Sequence, residues 1–174
     1  MQTKVTAAHM EGTIRRYFDA CNAANYQELV SCFAEDAIHY FPSGLPNVPW
    51  RGADQIARGW LWCVETFGSQ WTIERILCSS AAPEAVIEWT HWKTKKQMAL
   101  RGAEWYAFDA LTGRISEIRA YYASPADGSV PVNELPGFDY SKRGYSLRAS
   151  NESPRFLVQG EICVGSFESQ KGHR

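Results

Sequence analysis

Glu104 stands between Ala103 and Trp105 in the middle of an alternating run, where a strand is expected to carry an apolar or a surface-facing residue. A carboxylate in that setting must be neutralised or paired, which makes Glu104 either a neutral proton donor or the partner of a base. His39 and His91 lie in aromatic-rich segments. An imidazole, with an ordinary pKa of about 6.5, works as a general base near neutral pH without the burial a carboxylate needs. Tyr17 adds a phenol that can donate a hydrogen bond to a developing oxyanion. A carboxyl, two imidazoles and a phenol are the parts of proton-transfer chemistry. Each alone is also an ordinary core residue, so the fold must bring them together for that chemistry to follow.

The elements that position them can be read from apolar spacing. Met10, Ile14, Tyr17, Phe18 and Cys21 recur at helical intervals and predict a helix over about 9–23, with Tyr17 on its buried stripe. Leu29, Val30 and Phe33 share a face of a short helix over 26–33, and Glu35-Asp36 marks its exit. Residues 37–41 read as a strand, ended by Pro42, Gly44, Pro46 and Pro49. Ile56, Trp60, Val64 and Phe67 predict a third helix from near Gly52 to Gly68. Four alternating runs follow, 71–80, 85–93, 98–109 and 114–123, joined by connections short enough for hairpins, and these predict an antiparallel meander. Parity puts Ile87, Trp89 and His91 on one face. Beyond Ser124 the chain is rich in Pro and Gly and has no sustained period. Residues 1–124 are read as one domain and 125–174 as an arm or tail, partly disordered or wrapping a neighbouring subunit, with Phe156-Leu157-Val158 as its apolar island.

Helix, short helix, strand, Pro/Gly loop, helix and four antiparallel strands is an order in which a curved sheet can wrap a helix into a conical pocket. Along about residues 12–124 the local words come in a set order: Arg16-Tyr17, Ala34-Glu35-Asp36-Ala37, Pro42-x-Gly44, Gly52-x-x-Gln55-Ile56, Phe108-Asp109, Gly113-Arg114-Ile115 and Ala120-Tyr121. This run resembles the ketosteroid-isomerase-like and SnoaL-like members of the nuclear-transport-factor-2-like (NTF2-like) superfamily. The resemblance implies an α+β, NTF2-like cone, a curved antiparallel sheet wrapped around helices with a small-molecule pocket at its centre. The activities it implies range from isomerisation and dehydration to binding alone. It sets the oxyanion tyrosine of the isomerases on Tyr17 and their protonated acid on Glu104. Their proton-shuttling carboxylate falls on Phe41, which cannot take a proton, and a supporting tyrosine falls on Trp60, whose indole donates but does not accept.

If Phe41 looks into the pocket, alternation turns His39 the same way, close to the missing carboxylate. The order of landmarks sets Glu104 on the pocket face of the strand beside His91, so these two are expected to be cross-strand neighbours. In that arrangement Glu104 fixes the tautomer of His91, which competes with its reading as a neutral donor. Phe41, Trp60, Trp89 and Tyr122 are expected to line a flat-walled apolar cavity suited to an aromatic or polycyclic molecule. Arg101 is a candidate partner of Glu104 and a candidate substrate contact, although its parity is opposite. Lys93-Thr94-Lys95-Lys96 reads as a solvated hairpin tip. Trp92 and Trp105, on the outer face, predict a homodimer.

The 174 residues carry a formal charge of −1 without a Lys/Arg stripe interleaved with aromatics, so nucleic acid is not an expected partner. No apolar run approaches the ~18 residues that span a bilayer and no signal pattern opens the chain, so a cytoplasmic setting without membrane contact is expected. Five scattered cysteines without metal-type spacing read as reduced core thiols, and neither a metal nor a cofactor is expected. The function expected is a cofactor-independent isomerase or lyase acting on an aromatic or polycyclic small molecule, by proton transfer, dehydration or loss of a small aldehyde. His39 or His91 would be the base, with Tyr17 and Glu104 as acid or oxyanion stabiliser. A non-catalytic binding or assembly module of the same fold is the alternative. Epoxide hydrolysis would need an Asp-Arg-Asp arrangement, which the opposite parity of Arg101 and Glu104 does not give.

Overall fold

Local signals start and stop the helices where side chains can satisfy their free backbone groups. In the computed structural model, which describes residues 5–122, 136–139 and Lys142, helix α1 spans Ala7–Asn22, and the Thr6 hydroxyl caps it by accepting from the His9 amide at 3.2 Å. Helix α2, Tyr26–Cys32, is capped by Asn25, which accepts from the Glu28 amide at 3.1 Å. Helix α3, Ala53–Phe67, stops at Gly68, whose φ of 62° is the left-handed end that glycine adopts without strain. The stripe predicted for α1, with Tyr17 in it, is buried.

Six strands complete the unit: β1 (Phe33–Tyr40), β2 (Trp50–Arg51), β3 (Ser69–Cys78), β4 (Glu84–Lys93), β5 (Met98–Phe108) and β6 (Ile115–Tyr122), with a 3-10 turn at Thr94–Lys96. They form one sheet in the order β2-β1-β6-β5-β4-β3. The meander over β3 to β6 is antiparallel as its hairpins predict, but β1 joins β6 in parallel. This pairing also starts β1 at Phe33 rather than at residue 37, because Phe33 is already extended and pairs with Ile115. A partner eighty residues away leaves no local period to read. β2 is two residues long inside the Pro/Gly loop, and it sets Trp50 opposite His39.

Register shifts between Phe33 and Ile38, Ile73 and Arg75, and Ala107 and Phe108 bend three of the strand pairs. Such irregularities increase local twist, so the sheet curls and its concave face packs on α1 and α3. The result is an α+β fold with a curved sheet around helices. Among the described residues Cys21, Cys32 and Cys63 are buried free thiols and Cys78 is a half-buried one, and no helix is long and apolar enough to cross a membrane.

Met1–Phe138 form one compact unit and Asp139–Arg174 another. Of the second, Asp139 and Lys142 are described, and they make an ion pair at 3.2 Å. The arm expected from residue 125 and its apolar island lie outside the described residues, except for 136–139 and Lys142.

Candidate functional site

Strand parity decides what faces the hollow of the curled sheet. On β4 the inner residues are Ala85, Ile87, Trp89, His91 and Lys93, and on β5 they include Glu104, Tyr106 and Phe108. With α3 and the loop after β1 they enclose a cavity. Phe41, Trp60, Trp89 and Glu104 form its buried wall, Trp71 and His91 one side, and the half-buried Leu45, Phe67, Lys93 and Tyr122 its mouth. The space between these walls, mouth included, is about 440 Å³, of which about 40 Å³ is open to the centre of a water molecule. Gly102 shapes the wall, because a Cβ there would lie 2.5 Å from Cζ2 of Trp89. The missing side chain lets the indole lie across β5.

Glu104 is the one carboxyl on this wall, and it is 4% exposed. Burial raises its pKa to about 7, against a hydrogen bond from Tyr106 that acts to lower it. The Tyr106 hydroxyl donates to Oε2 at 2.5 Å. Oε1 faces Nε2 of His39 at 3.7 Å.

His39 is fully buried, stacked on Phe41 with ring centroids 3.8 Å apart, and it stands behind the wall of the cavity rather than on it. Its Nδ1 is 3.3 Å from the Tyr40 carbonyl oxygen, which can only accept, so Nδ1 carries the ring proton. Burial lowers its pKa to about 3, opposed by that hydrogen bond. The ring is thus neutral at pH 7, and its Nε2 presents a lone pair with no partner among the described residues. Although the contact is within ion-pair distance, the imidazole is not the charged member: a proton taken up by the pair near neutral pH goes to the carboxyl.

The expected pairing of His91 with Glu104 is not formed. His91 pairs with Leu100 and Glu104 with Ile87, so Trp89 and Gly102 intervene. His91 instead stacks on Trp71 at 4.5 Å, and its Nε2 lies 2.8 Å from Ser69 Oγ. The Ser69 hydroxyl donates to the Cys63 carbonyl at 3.0 Å, so Nε2 of His91 is the donor to Ser69. Burial, with Lys93 nearby, lowers His91 to about 3.

Two further expectations are corrected. Tyr17 does not reach the cavity wall: it is one layer deeper, 6.4 Å by ring centroid from both Trp60 and Tyr106, and its hydroxyl is hydrogen-bonded with Cys21. Arg101 is exposed on the outer face opposite Thr90, as its parity dictates, and touches neither Glu104 nor the cavity. Phe41, Trp60, Trp89 and Tyr122 are on the wall or at the mouth.

Tyr106 went unread in the sequence, and Lys93, read there as part of a solvated hairpin tip, lines the cavity instead. Both had a signal, since Tyr106 is two residues past Glu104 and Lys93 two past His91, on the same faces. The hairpin tip is not simply solvated either: Thr94 donates to the Gly68 carbonyl at 2.7 Å and the Lys95 amine to the Glu65 carbonyl, which docks the tip on the end of α3. The indole N–H groups of Trp60 and Trp89 are buried without an acceptor among the described residues. No three His, Cys, Asp or Glu side chains among those residues cluster as metal ligands.

The family model for the SnoaL-like domain matches residues 14–118. A crystal structure of a protein with a cystatin-like fold from Methylobium petroleophilum PM1 is 46% identical, with a TM-score of 0.79 over 87% of this chain and 99% of that one. An NTF2-like protein from Mesorhizobium loti is 18% identical, with a TM-score of 0.57 over 68% of this chain and 93% of its own. A protein from Sinorhizobium meliloti put forward as a polyketide cyclase is 15% identical, with a TM-score of 0.54 over 63% of this chain and 94% of its own. At those identities the last two show the shared fold. No curated protein matches the sequence.

Proposed function

The chain belongs to the SnoaL-like domain family, and from that premise we propose that its cavity carries out cofactor-independent proton transfer on a small aromatic carbonyl compound, as an isomerase or lyase with Glu104 as the acid–base group. The observation that carries this reading is the state of Glu104: a buried carboxyl on the cavity wall, lifted to about 7, with one oxygen held by Tyr106 and the other facing a neutral imidazole. A group whose pKa lies near the working pH is present in both forms and transfers protons best. His39 and His91, held near 3, are weak bases by the same rule, so the role expected of a histidine passes to the carboxylate.

In the proposed step the Glu104 carboxylate removes a proton from the carbon next to the substrate carbonyl, and the electron pair moves onto the carbonyl oxygen. Trp60 and Trp89 have indole N–H groups whose hydrogen bonds are unmade, and an enolate oxygen is an acceptor that suits them. The carboxyl then returns the proton to a second carbon, which shifts the double bond. Alternatively the enolate expels a β-hydroxyl, which leaves as water with that proton. Either way the carboxylate is regenerated.

The space supports one ring rather than several. A closed cavity of about 150 Å³ holds a benzene, whereas the water-accessible part here is about 40 Å³, so a single ring enters with movement of Leu45, Phe67 and Tyr122 at the mouth. That narrowness is what favours the second reading, a module that binds without converting. The two part in heavy water. Acetophenone-type ketones incubated in D2O with the protein are expected to take up deuterium at the α-carbon, about 10²-fold or more faster than with Glu104→Gln, while tryptophan quenching reports similar affinity for both. Equal exchange by the two proteins would refute the catalytic reading.

A further inference from the structure

Lys93 is the inward residue at the last position of β4, and its amine lies at the mouth of the cavity, 5.4 Å from the centroid of the Phe67 ring. Its neighbours in the hairpin tip have evident structural roles. Lys95 caps the carbonyl end of α3 through Glu65, where a cation opposes the helix dipole. Lys96 also stands over the ring of the mouth residue Phe67, at 4.6 Å. None of the three is within ion-pair distance of a carboxylate among the described residues. Burial and the like charge of Lys96 both lower the pKa of Lys93, and the nearby Cys63 thiol, which burial lifts to about 12, offers it no negative charge near neutral pH. A half-buried ammonium facing a cavity without a counter-ion is an arrangement that an anionic ligand completes.

The rest of the wall agrees. At neutral pH His91 is uncharged, and in its protonated form Glu104 is too, so in that form the wall sets no negative charge against a bound anion. The unmade bonds of the buried wall belong to the donors of Trp60 and Trp89, which call for an acceptor. Lys93 pairs with Met98, and Glu104 lies six residues further along β5, roughly 20 Å by strand rise. The anionic and acceptor groups of a ligand therefore belong at opposite ends of the molecule, with its ring between them over Trp89.

We propose that the ligand is a planar aromatic oxo acid, whose carboxylate is held by Lys93 at the mouth while its carbonyl reaches the floor beside Glu104. This deepens the proton-transfer reading and rests on it for the identity of the site.

The probes are 4-acetylbenzoate and its neutral isostere 4-acetylbenzamide, with binding followed by tryptophan quenching. The wild type should bind the acid about tenfold more tightly, as one charge-assisted hydrogen bond gives, with the difference shrinking in salt. Lys93→Met should bind both alike, at the wild-type affinity for the amide, and Lys93→Arg should keep the preference. A wild type without preference, a preference that survives in Lys93→Met, or an equal loss of both probes in that variant overturns the proposal. Glu104-dependent deuteration of the acetyl group of 4-acetylbenzamide is read separately. Its presence with no acid preference would leave the proton-transfer reading standing and remove the anion subsite alone.

Discussion

Oε1 of Glu104 lies 3.7 Å from Nε2 of His39, on the side of the imidazole that has no proton, because Nδ1 uses the ring proton to bond the Tyr40 carbonyl. At that distance no hydrogen bond joins the two, and an ionised carboxylate there faces a lone pair. Burial favours the acid form of Glu104, while the Tyr106 hydroxyl on Oε2 favours the carboxylate. The opposed pulls leave a carboxyl able to change state near neutral pH.

Stability should record this with a definite sign. Burial raises Glu104 from 4.5 to about 7 in the fold, so its contribution is full below about 4.5 and is lost as pH rises through about 7. Gln at this position has nearly the same shape and can accept from Tyr106, so it keeps that hydrogen bond without the titration. Urea unfolding is expected to show Glu104→Gln gaining on the wild type by on the order of 3 kcal/mol between pH 4.5 and 7. The histidines act oppositely: their pKa falls from 6.5 to about 3, so their contribution is present above 6.5 and is lost as pH falls. Without Glu104 to offset them, acid destabilisation below pH 6.5 should be steeper in the variant. A constant difference between the two proteins across pH would contradict the burial of Glu104 as an acid.

Gly102→Ala probes the wall without touching an ionisable group. The added Cβ meets Trp89 at 2.5 Å and the Tyr121 carbonyl oxygen at 2.9 Å, and the backbone cannot yield as a side chain could. Overpacking of this kind costs about 1–3 kcal/mol. Thermal unfolding should report that loss, together with weaker ligand quenching because the Trp89 face is displaced. Unchanged binding in a destabilised protein would mean that Trp89 is not a ligand surface.

Much of this arrangement was legible from two periods. The 3.6-residue stripe of α1 and the alternation of β3 to β6 gave the elements; parity grouped Trp89 with His91 and put Arg101 on the face opposite Glu104, and the order of landmarks put Glu104 inside. What could not be read was long-range pairing: the parallel contact of β1 with β6, the two-residue β2, and the register that separates His91 from Glu104 and brings His39 to it instead. Register depends on where hairpins close, which parity does not determine. The depth of Tyr17 was hidden for a related reason, because a helical stripe says which side is buried and not which layer it enters.

Self-association through the outer face of the sheet is proposed from Trp92 and Trp105, which are 43% and 40% exposed there. The guanidinium of Arg119 lies 5.6 Å from the Trp105 ring, so a partner would cover an aromatic–cation pair. Light scattering at micromolar concentration should give a dimer, and Trp105→Ser should shift it toward monomer. A wild-type monomer would remove the proposal.

The most direct measurement is the titration of the Glu104 carboxyl carbon by 13C NMR, assigned by its absence in Glu104→Gln. The account predicts a midpoint near 7, moved upward by about one unit or more in Tyr106→Phe, which loses the donor that favours the carboxylate. A midpoint at or below the ordinary value of 4.5 would leave the cavity without an acid–base group at neutral pH and would contradict the account.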